Sequence, residues 1–130
     1  MVDATLERVV PARVQEVAPL RREASAFLDA SADVAFRDRL LLVVSELCTN
    51  AIEALANPKA EFTLRVRDMH DCVVIEVEDT GPGFSKAFFK PGADDNTERG
   101  RGLAIVHSLV DDLSVRRRRG KTLVRCVMNR

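Results

Sequence analysis

The sequence has no excess charge of either sign: Lys and Arg together number 20, and so do Asp and Glu. Without net charge there is no global field to draw in a nucleic acid or an anionic membrane, so any partner must be recognised locally. Long apolar runs are missing too. The Leu40 to Val44 stretch is among the longest, far short of the ~20 residues that cross a bilayer, and no basic-then-apolar leader opens the chain. Cysteine is scarce. Cys48, Cys72 and Cys126 are widely spaced, make no C-x-x-C pair and sit in apolar stretches, where cysteine behaves as a small core residue. These absences point to a reducing cytoplasm and to no structural metal. The chain carries neither G-x-x-x-x-G-K-S/T nor G-x-G-x-x-G, which excludes a P-loop and a Rossmann fingerprint. Repeats, low-complexity tracts and interdomain linkers are absent as well.

What is present is enough apolar material for one core. With 130 residues and 46% hydrophobic content, the chain is expected to form a single domain over residues 1–130. Thr5 to Val10 alternates loosely and stops at Pro11, which predicts a short edge strand. Val17, Leu20, Ala24, Phe27 and Leu28 recur at helical spacing and predict a helix from about Gln15 to Ala30, with Pro19 tolerable only in its first turn. A longer helix is expected from about Val34 to Ala56, with Leu40, Val43, Val44, Leu47, Ala51 and Leu55 on its buried side, ended by Asn57-Pro58. Two period-two runs, Phe62-Leu64-Val66 and Val73-Ile75-Val77, joined by Asp68 to Asp71, predict a β-hairpin. Thr80 to Arg101 reads as a long loop with at most one helical turn, and loops of that length in small domains are usually functional. Helical period returns from Gly102 to Asp111, and a hairpin around Arg119-Gly120-Lys121 closes the chain. This order predicts an α/β (α+β) two-layer sandwich, a mixed, mostly antiparallel sheet with helices on one face.

Three places break the structural pattern. Glu46, Asn50 and Glu53 interrupt the long apolar helix at spacings of four and three, so they share one face; the first two α-carbons stand roughly 6 Å apart along the axis, within reach of one small ligand or ion. The same trio also fits the solvated side of an amphipathic helix. Asp79 continues the inward parity of Val73, Ile75 and Val77 and so places a carboxylate at the end of a buried row. It also opens Asp79-Thr80-Gly81-Pro82-Gly83, where a turn former is the competing reading and two glycines permit close backbone approach to a ligand. Arg99-Gly100-Arg101-Gly102-Leu103 opens the next helix, where free N–H groups and the positive dipole end favour an anion.

Taken together these residues resemble a known superfamily. Glu46-Leu47-Cys48-Thr49-Asn50 is similar to the N box, Asp79-x-Gly81-x-Gly83 to the first glycine box, and Gly100-x-Gly102-Leu103 to the second, of the gyrase, heat-shock chaperone, histidine kinase and mismatch-repair (Bergerat) ATPases. The likeness runs from about Ala35 to Met128 and implies the histidine-kinase-like ATPase fold with ATP and Mg²⁺ as its cofactors. The small size and the segment Ser45 to Ala51 further resemble the anti-sigma-factor serine/threonine kinases of bacteria, which transfer the ATP γ-phosphoryl group to a serine of an anti-sigma-factor antagonist. The resemblance implies Glu46 as catalytic base, Asn50 as the Mg²⁺ ligand and Asp79 as receiver of the adenine amino group. It also implies Gly81, Gly83, Gly100, Arg101, Gly102 and Leu103 as purine and phosphate walls. Thr122, on the inward parity of Val124, Cys126 and Met128, would assist at the adenine.

The implied partners are a sigma factor and its antagonist, with no direct nucleic acid and no membrane; relatives associate in pairs, so a homodimer is also an expectation. Many relatives carry a histidine four residues beyond the N-box asparagine, where this chain has Ala54. Glu53, His70 and His107 are expected at the surface or in packing, and Arg116 to Arg119 as a solvated strand end, with a docking patch for an acidic partner as the alternative. Two other functions fit the same boxes: a non-catalytic nucleotide-binding switch, and a detached catalytic domain of a histidine kinase.

Overall fold

In the computed structural model, residues 4–28, 32–79 and 98–130 are described, with the backbone alone for 98–103. Alternation decides the sheet. Strands β1 (Ala4–Pro11), β2 (Glu61–Asp68), β3 (Cys72–Asp79), β4 (Asp112–Arg118) and β5 (Lys121–Asn129) form one sheet in the order β1-β2-β3-β5-β4. All four ladders are antiparallel. Successive side chains point to opposite faces. Phe62, Leu64 and Val66 of β2, Val73, Ile75 and Val77 of β3, and Val124, Cys126 and Met128 of β5 are thereby buried on one face. Cross-strand register aligns them into rows; one runs Leu6, Val66, Ile75, Cys126, Leu113. Strand β1 is at the edge, as expected, and Pro11 ends it where a missing N–H disturbs no interior ladder.

Helices cover that face. Helix α2 (Val34–Leu55) has 22 residues, about 33 Å of length, and packs on β2 and β3 between α1 (Val17–Phe27) and α3 (Glu98–Leu109). Phe36, Leu40, Val43, Val44, Leu47, Cys48 and Ala51 recur at helical spacing and enter the core. Its start is fixed by Asp33, whose carboxylate accepts the Phe36 N–H at 2.7 Å. Its end is fixed by Ala56 in the left-handed region (φ 50°), followed by an Asx turn in which the Asn57 side-chain oxygen accepts the Lys59 N–H at 3.0 Å.

The first helix is shorter than its pattern. A 3₁₀ turn at Val14–Glu16 precedes it, Pro19 falls in the first turn, and the chain leaves helical geometry at Leu28, which is extended so that its side chain reaches the core. The β4–β5 hairpin closes on Arg119 and Gly120, both at positive φ (53° and 78°), the pair of conformations a two-residue turn between right-twisted strands requires. Lys121 therefore belongs to the strand.

Helix α3 begins at Glu98, four residues before the expected Gly102, so Gly100 and Gly102 lie inside its first turns. The residues 80–97, where the expectation of a long loop falls, lie outside the described residues. Burial of Val106 against the common core holds this helix. Leu64→Ala, at a fully buried position of β2, is expected to lower the unfolding free energy by about 2–5 kcal/mol, measured as a lower urea midpoint at unchanged slope.

Candidate nucleotide-binding site

The inward row of β3 ends in a carboxylate. Asp79 is 4% exposed, and its cross-strand partners are Phe62 on β2 and Thr122 on β5, the latter 1% exposed. Inward parity thus brings two of the sequence-predicted residues side by side, polar groups capping an apolar face. On α2, Asn50 is 3% exposed and is the one buried polar side chain of that helix. Glu46 is half-buried one turn earlier, whereas Glu53 is exposed.

Burial without a hydrogen-bond partner distinguishes Asn50 and Thr122. A buried donor or acceptor left unsatisfied costs about 1–3 kcal/mol, so folded chains keep few of them. Among the described residues three such side-chain atoms occur: Asn50 Nδ2, Thr122 Oγ1 and Glu76 Oε1. The last has an evident compensation. Glu76 faces the other side of the sheet, where its Oε1 stands 3.1 Å from the Arg67 guanidinium, in ion-pair contact though outside hydrogen-bond geometry. Asn50 and Thr122 have no such neighbour. Both are residues that the sequence singled out.

Gly81 and Gly83 lie outside the described residues. Gly100, Arg101, Gly102 and Leu103 all fall in the first half of α3, and the N–H groups of residues 98–101, the first four of the helix, have no acceptor within it. His70 is exposed in the β2–β3 turn at φ 71° and His107 is exposed on α3, so both are at the surface as expected. Cys48 and Cys126 are buried free thiols, each pushed up to about 12 by burial, with the negative charge of Asp112 adding to the effect at Cys126. They are core residues and not nucleophiles. No helix among the described residues is long and apolar enough to cross a membrane.

One neighbour of the site is not apparent from the motifs. Arg117 is the cross-strand partner of Thr122, so the row Phe62, Asp79, Thr122 runs on to a cation at the sheet edge. Its signal was the strand parity of the final hairpin, which the basic run obscured.

Among the described residues a five-stranded antiparallel sheet is covered by three helices, and Asp79 and Thr122 end the inward rows of two of its inner strands, an arrangement in keeping with an ATPase domain of the kind found in histidine kinases. The histidine kinase-like ATPase domain family matches residues 10–128, and the chain belongs to that family. Solved structures share the fold. The RsbU and RsbW domains of Rv1364c from Mycobacterium tuberculosis superpose with a TM-score of 0.68 at 17% identity, covering 97% of this chain and 32% of that one. This chain therefore spans about a third of the length of that protein. The nucleotide-free catalytic domain of the histidine kinase ThkA gives 0.62 at 20% identity, covering 99% and 97% of the two chains. The Acinetobacter baumannii histidine kinase AdeS gives 0.52 at 20%, covering 95% and 67%. Among curated proteins none matches this sequence.

Proposed function

We propose that this domain is a cytoplasmic protein serine/threonine kinase that binds Mg-ATP, phosphorylates a serine of an anti-sigma-factor antagonist, and holds a sigma factor as its other partner. The observation that carries the nucleotide site is the pair of orphaned buried polar atoms at Asn50 and Thr122, in a chain whose family is an ATPase. The choice of serine as acceptor rests on the resemblance of Ser45 to Ala51 to the anti-sigma-factor kinases.

In this reading Asp79 accepts from the adenine amino group and Thr122 beside it hydrogen-bonds the base. Gly81, Gly83, Gly100, Arg101, Gly102 and Leu103 wall the purine and phosphates, with the free N–H groups of α3 facing anionic oxygens. The donor set fits magnesium. Mg²⁺ is commonly held by one or two side chains together with substrate phosphates. Asn50 offers a hard amide oxygen for that role. When bound, the ion neutralises charge on the phosphates.

Glu46, one turn before Asn50, takes the proton of the attacking serine hydroxyl. The serine oxygen bonds to the γ-phosphorus as the bond to the β–γ bridging oxygen breaks, and ADP leaves. Transfer from labelled ATP to an antagonist protein tests this reading: the expected product is a phosphate stable to acid and labile to base, a seryl ester. Label that is lost in acid and survives base would place the chain among histidine phosphotransfer partners instead.

A further inference from the structure

On the outer face of the sheet the arginines of β2 have matched charges. Arg65 lies 3.4 Å from both Glu7 and Glu78, and Arg67 is paired with Glu76. The cations at the end of the β4–β5 hairpin do not. Arg116, Arg117, Arg118, Arg119 and Lys121 are all exposed, and among the described residues no carboxylate lies within ion-pair distance of any of them. They line a cleft of about 710 Å³ with Leu123 and with Glu78, a carboxylate already shared with Arg65. In a chain of zero net charge this is a local concentration of five cations, which repel one another unless an anion is added.

We propose that this hairpin end is a docking surface for an acidic, extended segment of the protein that the site phosphorylates, an inference that rests on the kinase reading above. Charge complementarity selects the acidic character. The edge position of β4 selects a polypeptide: among the described strands it pairs only with β5, so its outer row of N–H and C=O groups can receive an added strand, a mode of recognition that nucleic acids and lipids do not use. Position selects the substrate. Arg117 opposes Thr122 and Thr122 opposes Asp79, so two strand spacings, about 10 Å, separate the patch from the backbone at the candidate site. A segment anchored there would bring the residues that follow it close to the nucleotide.

The test is fluorescence anisotropy of a labelled twelve-residue peptide alternating Glu and Ser, titrated with the full chain. A peptide with Gln in place of Glu serves as control. Saturable binding that weakens with salt, at least tenfold tighter than the Gln peptide, is expected. The double variant Arg116→Glu/Arg118→Glu, altered on the outward parity away from Thr122, should bind at least tenfold more weakly at unchanged ATP affinity by calorimetry. Lys121→Glu, a single exposed change, should weaken binding in the same direction and serves if the double variant does not fold. Unchanged peptide affinity in the folded variants would overturn the proposal. So would tighter binding of a single-stranded oligonucleotide or of phosphatidylserine vesicles than of the peptide, or a parallel loss of ATP affinity that assigns the cations to the nucleotide pocket. Failure of the parent chain to bind ATP would instead strike the kinase reading, and the peptide titration would still report on the patch.

Discussion

Glu46→Ala is expected to lower γ-phosphoryl transfer by about 10²-fold or more while leaving ATP affinity nearly unchanged. General base catalysis in the transition state contributes on that order, and a carboxylate that only accepts the serine proton contributes little to ground-state nucleotide binding. The variant should fold normally. Glu46 is half-buried, its neighbours Val43, Val44, Leu47 and Cys48 anchor α2 in the core, and alanine is the better helix former. Single-turnover transfer from labelled ATP to the antagonist separates the chemical step from binding. Loss of affinity with an unaltered transfer rate would remove Glu46 from the role of base and make it a binding group.

Asn50→Ala should lower magnesium-dependent ATP affinity tenfold or more, about 1.4 kcal/mol, without destabilising the fold. The affinity half rests on the amide oxygen proposed as the Mg²⁺ ligand, and the stability half on the amide nitrogen. The Asn50 amide nitrogen is buried with no hydrogen-bond partner among the described residues, so its removal relieves an unsatisfied group and offsets the cost of the small cavity left behind. Thr122→Val is the cleaner version. It keeps the shape, deletes only the orphaned hydroxyl, and should raise unfolding stability by about 1 kcal/mol while weakening nucleotide binding. A buried polar residue whose deletion stabilises the free protein and impairs its ligand complex is the signature of a binding residue. If both variants are less stable and bind ATP like the parent, the two groups are structural.

Much of this was legible because two periods dominate the sequence. The period of two placed Phe62, Leu64 and Val66, the row from Val73 to Asp79 and the row from Thr122 to Met128 on one face, and hence brought Asp79 and Thr122 together. The helical period of α2 put Glu46, Asn50 and Glu53 on one face but did not separate them: Asn50 is buried, Glu46 half-buried and Glu53 in solvent. Other features do not show in a one-dimensional pattern. The start of α3 was misplaced because glycine weakens helix propensity by about 1 kcal/mol per residue, yet the chain remains helical through Gly100 and Gly102. The end of α1 was overextended because Leu28 continues the apolar period but reaches the core from an extended backbone.

Burial on the outer side of β3 was also invisible. Val74 and Glu76 are covered there although among the described residues no helix packs on that face; salt-bridged Arg65 and Arg67 on the neighbouring strand lie alongside them, and such side chains cover apolar surface with their aliphatic stems. The exposed cations of Arg116 to Arg119 looked like a strand end from sequence. Only the sheet order puts Arg117 beside Thr122 and the run at an open edge.

The most direct measurement is a calorimetric titration of the purified chain with ATP, with and without Mg²⁺. Saturable one-site binding that weakens strongly when the metal is removed is the predicted result. Absence of saturable heat in both conditions would contradict a nucleotide site at Asn50, Asp79 and Thr122 and leave the protein acting through docking alone.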